Sequence, residues 1–322
     1  MRALAAPASL KGVLTPFEAA AFLAAGLRRV AGIEVDEAPV ADGGEGTAAV
    51  LEAALGGRAM EAVVSDPLGR PVRAEWLLLA DGTAVVESAQ AIGLPRLSAR
   101  ERDPLRASSR GLGELLLATL AERPTSILVC VGGTATVDGG VGMRAVVGEA
   151  LGGLPVQVAC DVRNPLLGER GAARAFGPQK GASPAVVEAL EARLAALEEL
   201  APYRDVPGAG AGGGLGAALA ALGGELVEGA ELVLDRMRFD DRVRGADLVV
   251  TGEGAVDATT LEGKAPGAVV RRCARLGVRC ELFGGTVRDG VRARSLSGDP
   301  AAAGDDLVAL GEELGRSLVA SR

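Results

Sequence analysis

Apolar positions along this chain recur at two spacings, one strand-like and one helical, and the two alternate in blocks. Residues 2–7 form a short apolar run that predicts a strand leading into a loop. Residues 17–30 carry apolar side chains at helical spacing, with Thr15 placed to cap the helix and Pro16 at its first position. Residues 33–40 predict a second strand. Asp42-Gly43-Gly44-Glu45-Gly46-Thr47 then predicts a turn into a helix that reaches Leu55 and stops at Gly56-Gly57. Strands alternating with helices at this spacing imply a parallel α/β layer. After residue 60 the pattern changes. Segments 60–64, 72–79 and 83–88 are β-rich, and Asp81-Gly82 predicts a hairpin between the last two. A helix over 112–121, a strand over 127–131, a glycine-rich loop over 132–140 and a strand over 156–160 follow, then an acidic amphipathic helix over 184–200. Residues 207–216 are glycine-rich and run into an alanine-rich helix. Strand–loop–helix alternation returns with a strand at 246–250, the turn Thr251-Gly252-Glu253-Gly254, a helix over 264–276, a strand over 279–283 and a closing helix over 307–319.

The expected architecture is α/β with two domains, which suits 322 residues. Residues 1–60 plus 240–322 form a discontinuous Rossmann-like parallel layer, and residues 61–239 form a second, mixed α/β domain with glycine-rich loops.

Composition narrows the function. With 48% apolar and 24% charged residues the chain is an ordinary globular protein rather than a disordered one. A net charge of −8 argues against nucleic acid and anionic membrane as partners. No apolar run is long enough to span a bilayer, and the N-terminus lacks the apolar region of a secretory signal. The scattered cysteines Cys130, Cys160, Cys273 and Cys280 form no CxxC and read as buried thiols in a reducing cytosol, so the expected location is cytoplasmic. The chain contains no histidine. Ser-His-Asp and Cys-His catalysis are thereby excluded. A general base must be a carboxylate, lysine, tyrosine or thiolate, and a metal is expected to be a hard ion on oxygen ligands. Of 34 basic residues only Lys11, Lys180 and Lys264 are lysine, and each adjoins a glycine. Lysine and arginine are not interchangeable at a phosphate, so lysines that persist in an arginine-rich chain are candidates for chemistry.

Gly208, Gly210 and Gly213 satisfy GxGxxG, but the preceding Tyr203-Arg204-Asp205-Val206-Pro207 is not a buried strand, so a dinucleotide site is not expected. No GxxxxGK[ST] is present. The loops at 132–142, 208–216 and 252–264 can present backbone N–H groups to an anion. Asp42, Glu45, Asp138, Asp161, Glu253 and Asp257 lie in or beside loops of this kind. Such loops with carboxylates and isolated lysines suit magnesium–nucleotide chemistry, although loop acids also serve as helix caps.

Several motifs together give the chain a resemblance. Ala6-Pro7-Ala8-Ser9-Leu10-Lys11-Gly12, Ala41-Asp42-Gly43-Gly44-Glu45-Gly46-Thr47 and the run from Gly132 to Met143 resemble those of type I bacterial glycerate kinases. So do Ala159-Cys160-Asp161-Val162-Arg163-Asn164-Pro165-Leu166, Phe176-Gly177-Pro178-Gln179-Lys180-Gly181-Ala182, and Pro207-Gly208-Ala209-Gly210 with Gly213-Gly214-Leu215-Gly216. Thr251-Gly252-Glu253-Gly254 with Asp257, Thr260 and Gly263-Lys264 completes the set, in family order over most of the chain. The resemblance implies transfer of the ATP γ-phosphoryl group to a hydroxyl of D-glycerate with Mg²⁺, the 2-hydroxyl being expected for this type. It also implies two α/β domains with a cleft between them, in a monomer or homodimer. Under it, Lys11, Asp42, Asp161 and Lys180 are catalytic candidates, with Asp42 or Asp161 orienting or deprotonating the hydroxyl. Gly132, Gly133, Thr134, Gly210, Gly213, Gly214, Gly252, Gly254 and Lys264 are candidates for holding nucleotide, and Glu253 and Asp257 for holding metal. The chain departs from the family pattern at Ala8, where an aspartate is usual, at Val137, where an asparagine is usual, and at Ala255, where an arginine is usual. Residues 107–111 follow a family run only in outline, and several dozen residues before the 156–160 strand are missing. Another small hydroxy acid as substrate, or a weakened nucleotide-binding homologue, are the alternatives these departures raise.

Overall fold

The computed structural model describes residues 1–288 and 290–321. Along the chain these form β1 (Arg2–Ala5), α1 (Pro16–Arg28), β2 (Glu34–Glu37), α2 (Thr47–Leu55), β3 (Arg58–Ser65), β4 (Pro71–Leu78), β5 (Thr83–Glu87), α3 (Ser88–Ile92), α4 (Arg110–Ala121) and β6 (Ser126–Cys130). Then come α5 (Val141–Val147), β7 (Val156–Cys160), α6 (Ala172–Phe176), α7 (Pro184–Ala195), α8 (Ala211–Ala221), β8 (Glu225–Glu228), α9 (Gly229–Arg236) and α10 (Phe239–Val243). The chain closes with β9 (Leu248–Val256), α11 (Ala258–Gly263), α12 (Ala265–Leu276), β10 (Cys280–Val287), β11 (Arg294–Ser295) and α13 (Ala303–Ala320). They divide into two compact units, Met1–Asp42 with Ala230–Arg322, and Gly43–Gly229. The first unit is discontinuous in sequence, and its first segment ends at Asp42, so α2 and the turn before it belong with the second unit.

The first unit is built on a five-stranded sheet in the order β11-β10-β9-β1-β2, with every neighbour parallel. Parallel strands covered on both faces need apolar side chains on both sides. β1 meets that need with Ala3 and Ala5 against α1 and α13, and Leu4 on the opposite face against α10 and α12. α1 begins where expected: Thr15 and Glu18 form a reciprocal capping box, and Pro16 fills the first turn, where no N–H is needed.

The second unit has a six-stranded sheet in the order β3-β4-β5-β6-β7-β8. The β3–β4 and β4–β5 pairs are antiparallel and the rest parallel. The Asp81-Gly82 hairpin is present, with Asp81 Oδ1 accepting from the Thr83 N–H at 2.9 Å. One core gathers around β5, β6 and β7, filled by Leu112, Leu115 and Leu116 of α4 and by Leu215 and Leu219 of α8. The acidic helix α7 is shorter than its periodicity predicts, because a 3₁₀ turn over Glu198–Tyr203 containing Pro202 follows it.

One local expectation differs where function is concerned. Thr251-Gly252-Glu253-Gly254 is not a turn after a strand but part of β9, which pairs with β10 up to Val256. A Cβ on Gly252 would stand 2.2 Å from the Phe283 carbonyl oxygen, so the glycine permits a close backbone approach inside the sheet.

Candidate active site

The C-terminal ends of parallel strands carry most of the predicted residues. In the first unit the loop with Lys11 follows β1, Asp42 follows β2, and Asp257 directly follows β9. In the second unit Gly132, Gly133 and Thr134 follow β6, and Asp161 follows β7. Open parallel sheets bind ligands beyond these ends.

Within the first unit Lys11, Glu253, Gly254 and Lys264 line one cleft of about 350 Å³, whose wall also includes Leu10, Val13 and Leu296. Glu253 is almost buried, and its Oε1 accepts from the Thr260 hydroxyl at 2.7 Å and from Lys264 Nζ at 3.0 Å. β9 therefore fixes the carboxylate, and α12, which starts at Ala265, fixes the ammonium beside it. Lys11 is exposed. A carboxylate–ammonium pair, a second lysine and an apolar wall in one cleft match a phosphate chain attached to an apolar group.

Asp257 does different work. Its Oδ1 accepts from the Thr259 N–H at 2.9 Å and from the Thr259 hydroxyl, and it caps α11. These Thr259 bonds hold its carboxyl below the usual carboxylate range. Among the described residues no three His, Cys, Asp or Glu side chains converge as a metal cluster. Mg²⁺ bound with a nucleotide needs only one or two carboxylates, since phosphates supply further ligands. Glu253, whose Oε1 takes the Thr260 and Lys264 bonds and which lines the cleft, fits that role on this chemistry.

In the second unit a 3₁₀ turn at Pro178–Lys180 carries Lys180 into the interior, where it is 3% exposed. Its Nζ donates to Thr134 Oγ1 at 3.1 Å and to the Thr136 carbonyl at 2.8 Å. Burial pushes the ammonium down to about 7, with the charge of Asp138 acting in the opposite sense. Asp138 itself accepts from the Ser109 N–H and hydroxyl at 2.9 and 2.8 Å, and from the N–H groups of Gly140 and Gly142. Lys180 and Asp138 thus lace the 132–142 loop into one shape. Gly210, Gly213 and Gly214 open α8 on the other side of that loop. A Cβ on Gly213 would stand 2.0 Å from the Thr136 carbonyl oxygen, and its φ of +76° is one that only glycine adopts freely. Asp42 and Asp161 are both half-buried.

Three features were not singled out from sequence. Ser109 bridges Asp138 and the Met143 N–H. Its only signal was the outline run at 107–111. Glu87, at the end of β5, is buried, and its carboxylate accepts the Ala48 N–H at the start of α2. Burial raises its carboxyl above the usual range. Thr260 holds Glu253 and had been noted only as a motif member. Val137, the position of a family asparagine, is fully buried in the core of the second unit, and Ala8 packs in a core of the first. Cys160 is kept as a neutral thiol, pushed up to about 11 by burial and then by Asp161.

Two sheets with candidate residues beyond their parallel-strand ends, and loops fit for phosphate, define an α/β enzyme of anionic small molecules. The glycerate kinase family model matches residues 3–154 and 146–303. The chain is 40% identical over 305 residues to the glycerate 2-kinase of Escherichia coli (strain K12), spanning 83% of this chain and 80% of that protein. It is 39% identical over 310 residues to the glycerate kinase of Bacillus subtilis (strain 168), spanning 84% and 81%. The crystal structure of a candidate glycerate kinase 2 from Salmonella typhimurium LT2 superposes with a TM-score of 0.81 at 32% identity, covering 100% of this chain and 99% of that one. The chain belongs to the glycerate kinase family. It is a kinase, and its α/β fold in two units is the fold of that neighbour.

Proposed function

We propose that this kinase transfers the γ-phosphoryl group of ATP to the 2-hydroxyl of D-glycerate, giving 2-phosphoglycerate and ADP. The observation that carries the reading is the first-unit cleft, where Lys11, Lys264 and Glu253 meet an apolar wall. The names of the relatives supply the acceptor, and that of the Escherichia coli protein supplies the position. In the reaction a bond forms between the acceptor oxygen and the γ-phosphorus, and the bond from that phosphorus to the bridging oxygen of ADP breaks. The hydroxyl proton passes to a carboxylate, for which Asp42 and Asp161 are the candidates. Lys264 and Lys11 neutralise charge on the phosphates, and Gly254 keeps the β9 backbone beside Lys11 free of a side chain in the cleft, while Gly252 packs on Phe283. Glu253 would hold Mg²⁺, which supplies neutralisation of the phosphate oxygens. Lys180 acts through the 132–142 loop, keeping Gly132, Gly133 and Thr134 in place.

Incubation with ATP, Mg²⁺ and D-glycerate, followed by phosphorus NMR, tests this. The expected product is the 2-phosphate. A 3-phosphate would overturn the position, and turnover confined to another hydroxy acid would overturn the acceptor.

A further inference from the structure

The second unit carries an open polar groove of about 660 Å³, lined among others by Glu45, Arg70, Gln90 and Arg96. Its two guanidiniums are held differently. Arg70 is committed to acids, donating from Nε to Asp66 Oδ2 at 2.6 Å and from Nη1 to Glu101 Oε1 at 2.5 Å. Arg96 is held by backbone alone: its Nη2 donates to the carbonyls of Arg73, at 2.8 Å, and Gln90. Among the described residues Arg96 has no carboxylate at ion-pair distance. Two carbonyls thus fix the plane of a guanidinium that has no ion-pair partner among the described residues, leaving Nη1 and Nε as donors. That is the arrangement a carboxylate uses for a forked contact.

The groove adjoins the 132–142 loop through backbone hydrogen bonds. Leu94 N–H donates to the Gly133 carbonyl at 2.7 Å, and Gly93 pairs with Thr134 as an isolated bridge. Glu45 approaches from the other side, its Oε2 lying 3.4 Å from where a Cβ on Gly133 would stand. Three carboxylates, Glu45, Asp66 and Glu101, line the groove. They repel a polyphosphate, whereas a small anion of single charge with hydroxyl groups finds one guanidinium for its carboxylate and acceptors for its hydroxyls.

We propose that Arg96 binds the carboxylate of the hydroxy-acid acceptor, with Glu45 accepting from its hydroxyls. The inference rests on the glycerate kinase reading given above, and names the residues by which that acceptor is recognised.

Steady-state kinetics of Arg96→Gln and Arg96→Lys test it against the parent protein. The expected result is a KM for D-glycerate raised about tenfold or more in both, with the KM for ATP unchanged, because lysine keeps the charge and loses the fork. Arg96 also holds two carbonyls, so thermal melts accompany the kinetics. Glu45→Gln, which removes no hydrogen bond described above, is the second variant and is expected to raise the same KM. Unchanged KM for D-glycerate in folded variants overturns the proposal, and so does a rise confined to the KM for ATP. Calorimetric titration of D-glycerate into parent and Arg96→Gln decides the groove independently of turnover. If the parent binds D-glycerate without phosphorylating it, the functional reading fails, and loss of binding in Arg96→Gln upholds the groove. Binding that survives the substitution, or no binding by the parent, overturns it.

Discussion

Lys180 and Lys264 are both cations beside oxygen acceptors, yet burial gives them different work. Lys264 keeps a carboxylate partner and lines a cleft, so it can exchange that partner for phosphate. Replacing it with arginine keeps the charge but changes its shape and reach, and is expected to lower kcat/KM about tenfold or more. Full activity in Lys264→Arg would remove this lysine from the chemistry. Lys180 is buried on a hydroxyl and a carbonyl, and its folded value of about 7 lies below the ordinary lysine value of 10.5. The folded protein therefore binds fewer protons than the unfolded chain between these values. The cost of burying the ammonium is full below about pH 7 and falls as pH rises towards 10.5. Urea unfolding of the parent and Lys180→Met at about pH 6 and about pH 9 should show the parent gaining stability relative to the variant at the higher pH. An unchanged difference would mean that Lys180 is not held neutral. The sequence pointed to both lysines by their rarity, but rarity carries no information on burial. Arg96 went unnoticed for the opposite reason: nothing marks one half-exposed arginine in a chain where nearly all basic residues are arginine.

At the scale of elements, legibility followed the strength of local rules. The start of α1 was readable because Thr15, Pro16 and Glu18 satisfy a cap locally, and the β4–β5 hairpin because Asp81-Gly82 is a turn in itself. β9 was misjudged because its Gly252 is demanded by Phe283, a neighbour on another strand. α3, α6, α9 and α10 are short or depend on tertiary contacts, so no long periodicity announced them. Gly26 shows the same dependence. A Cβ there would stand 2.0 Å from the Val308 carbonyl oxygen of α13, so the α1–α13 pair packs through a missing side chain. Gly26→Ala is expected to cost about 1–3 kcal/mol in urea unfolding, because the obstacle is backbone and cannot rotate away. A variant as stable as the parent would show that the two helices separate without strain.

For the whole molecule, the α/β class was written in the alternation of strand and helix. The exact division at Asp42 was not, because the turn that follows belongs by contact to the second sheet. The residues singled out by motif divide in the same way: Lys11, Glu253, Gly254 and Lys264 share the first-unit cleft, and Thr134, Lys180 and Gly213 share the laced loop of the second. Family departures at Ala8 and Val137 are absorbed by packing. They leave the cleft lysines and Glu253 in place, so activity is expected to survive them. The most direct measurement is ADP formation with ATP and Mg²⁺ in the presence of D-glycerate, L-glycerate or hydroxypyruvate in turn. The account predicts turnover with D-glycerate well above that with the other two. No turnover with D-glycerate, by a protein that still binds ATP, would contradict it.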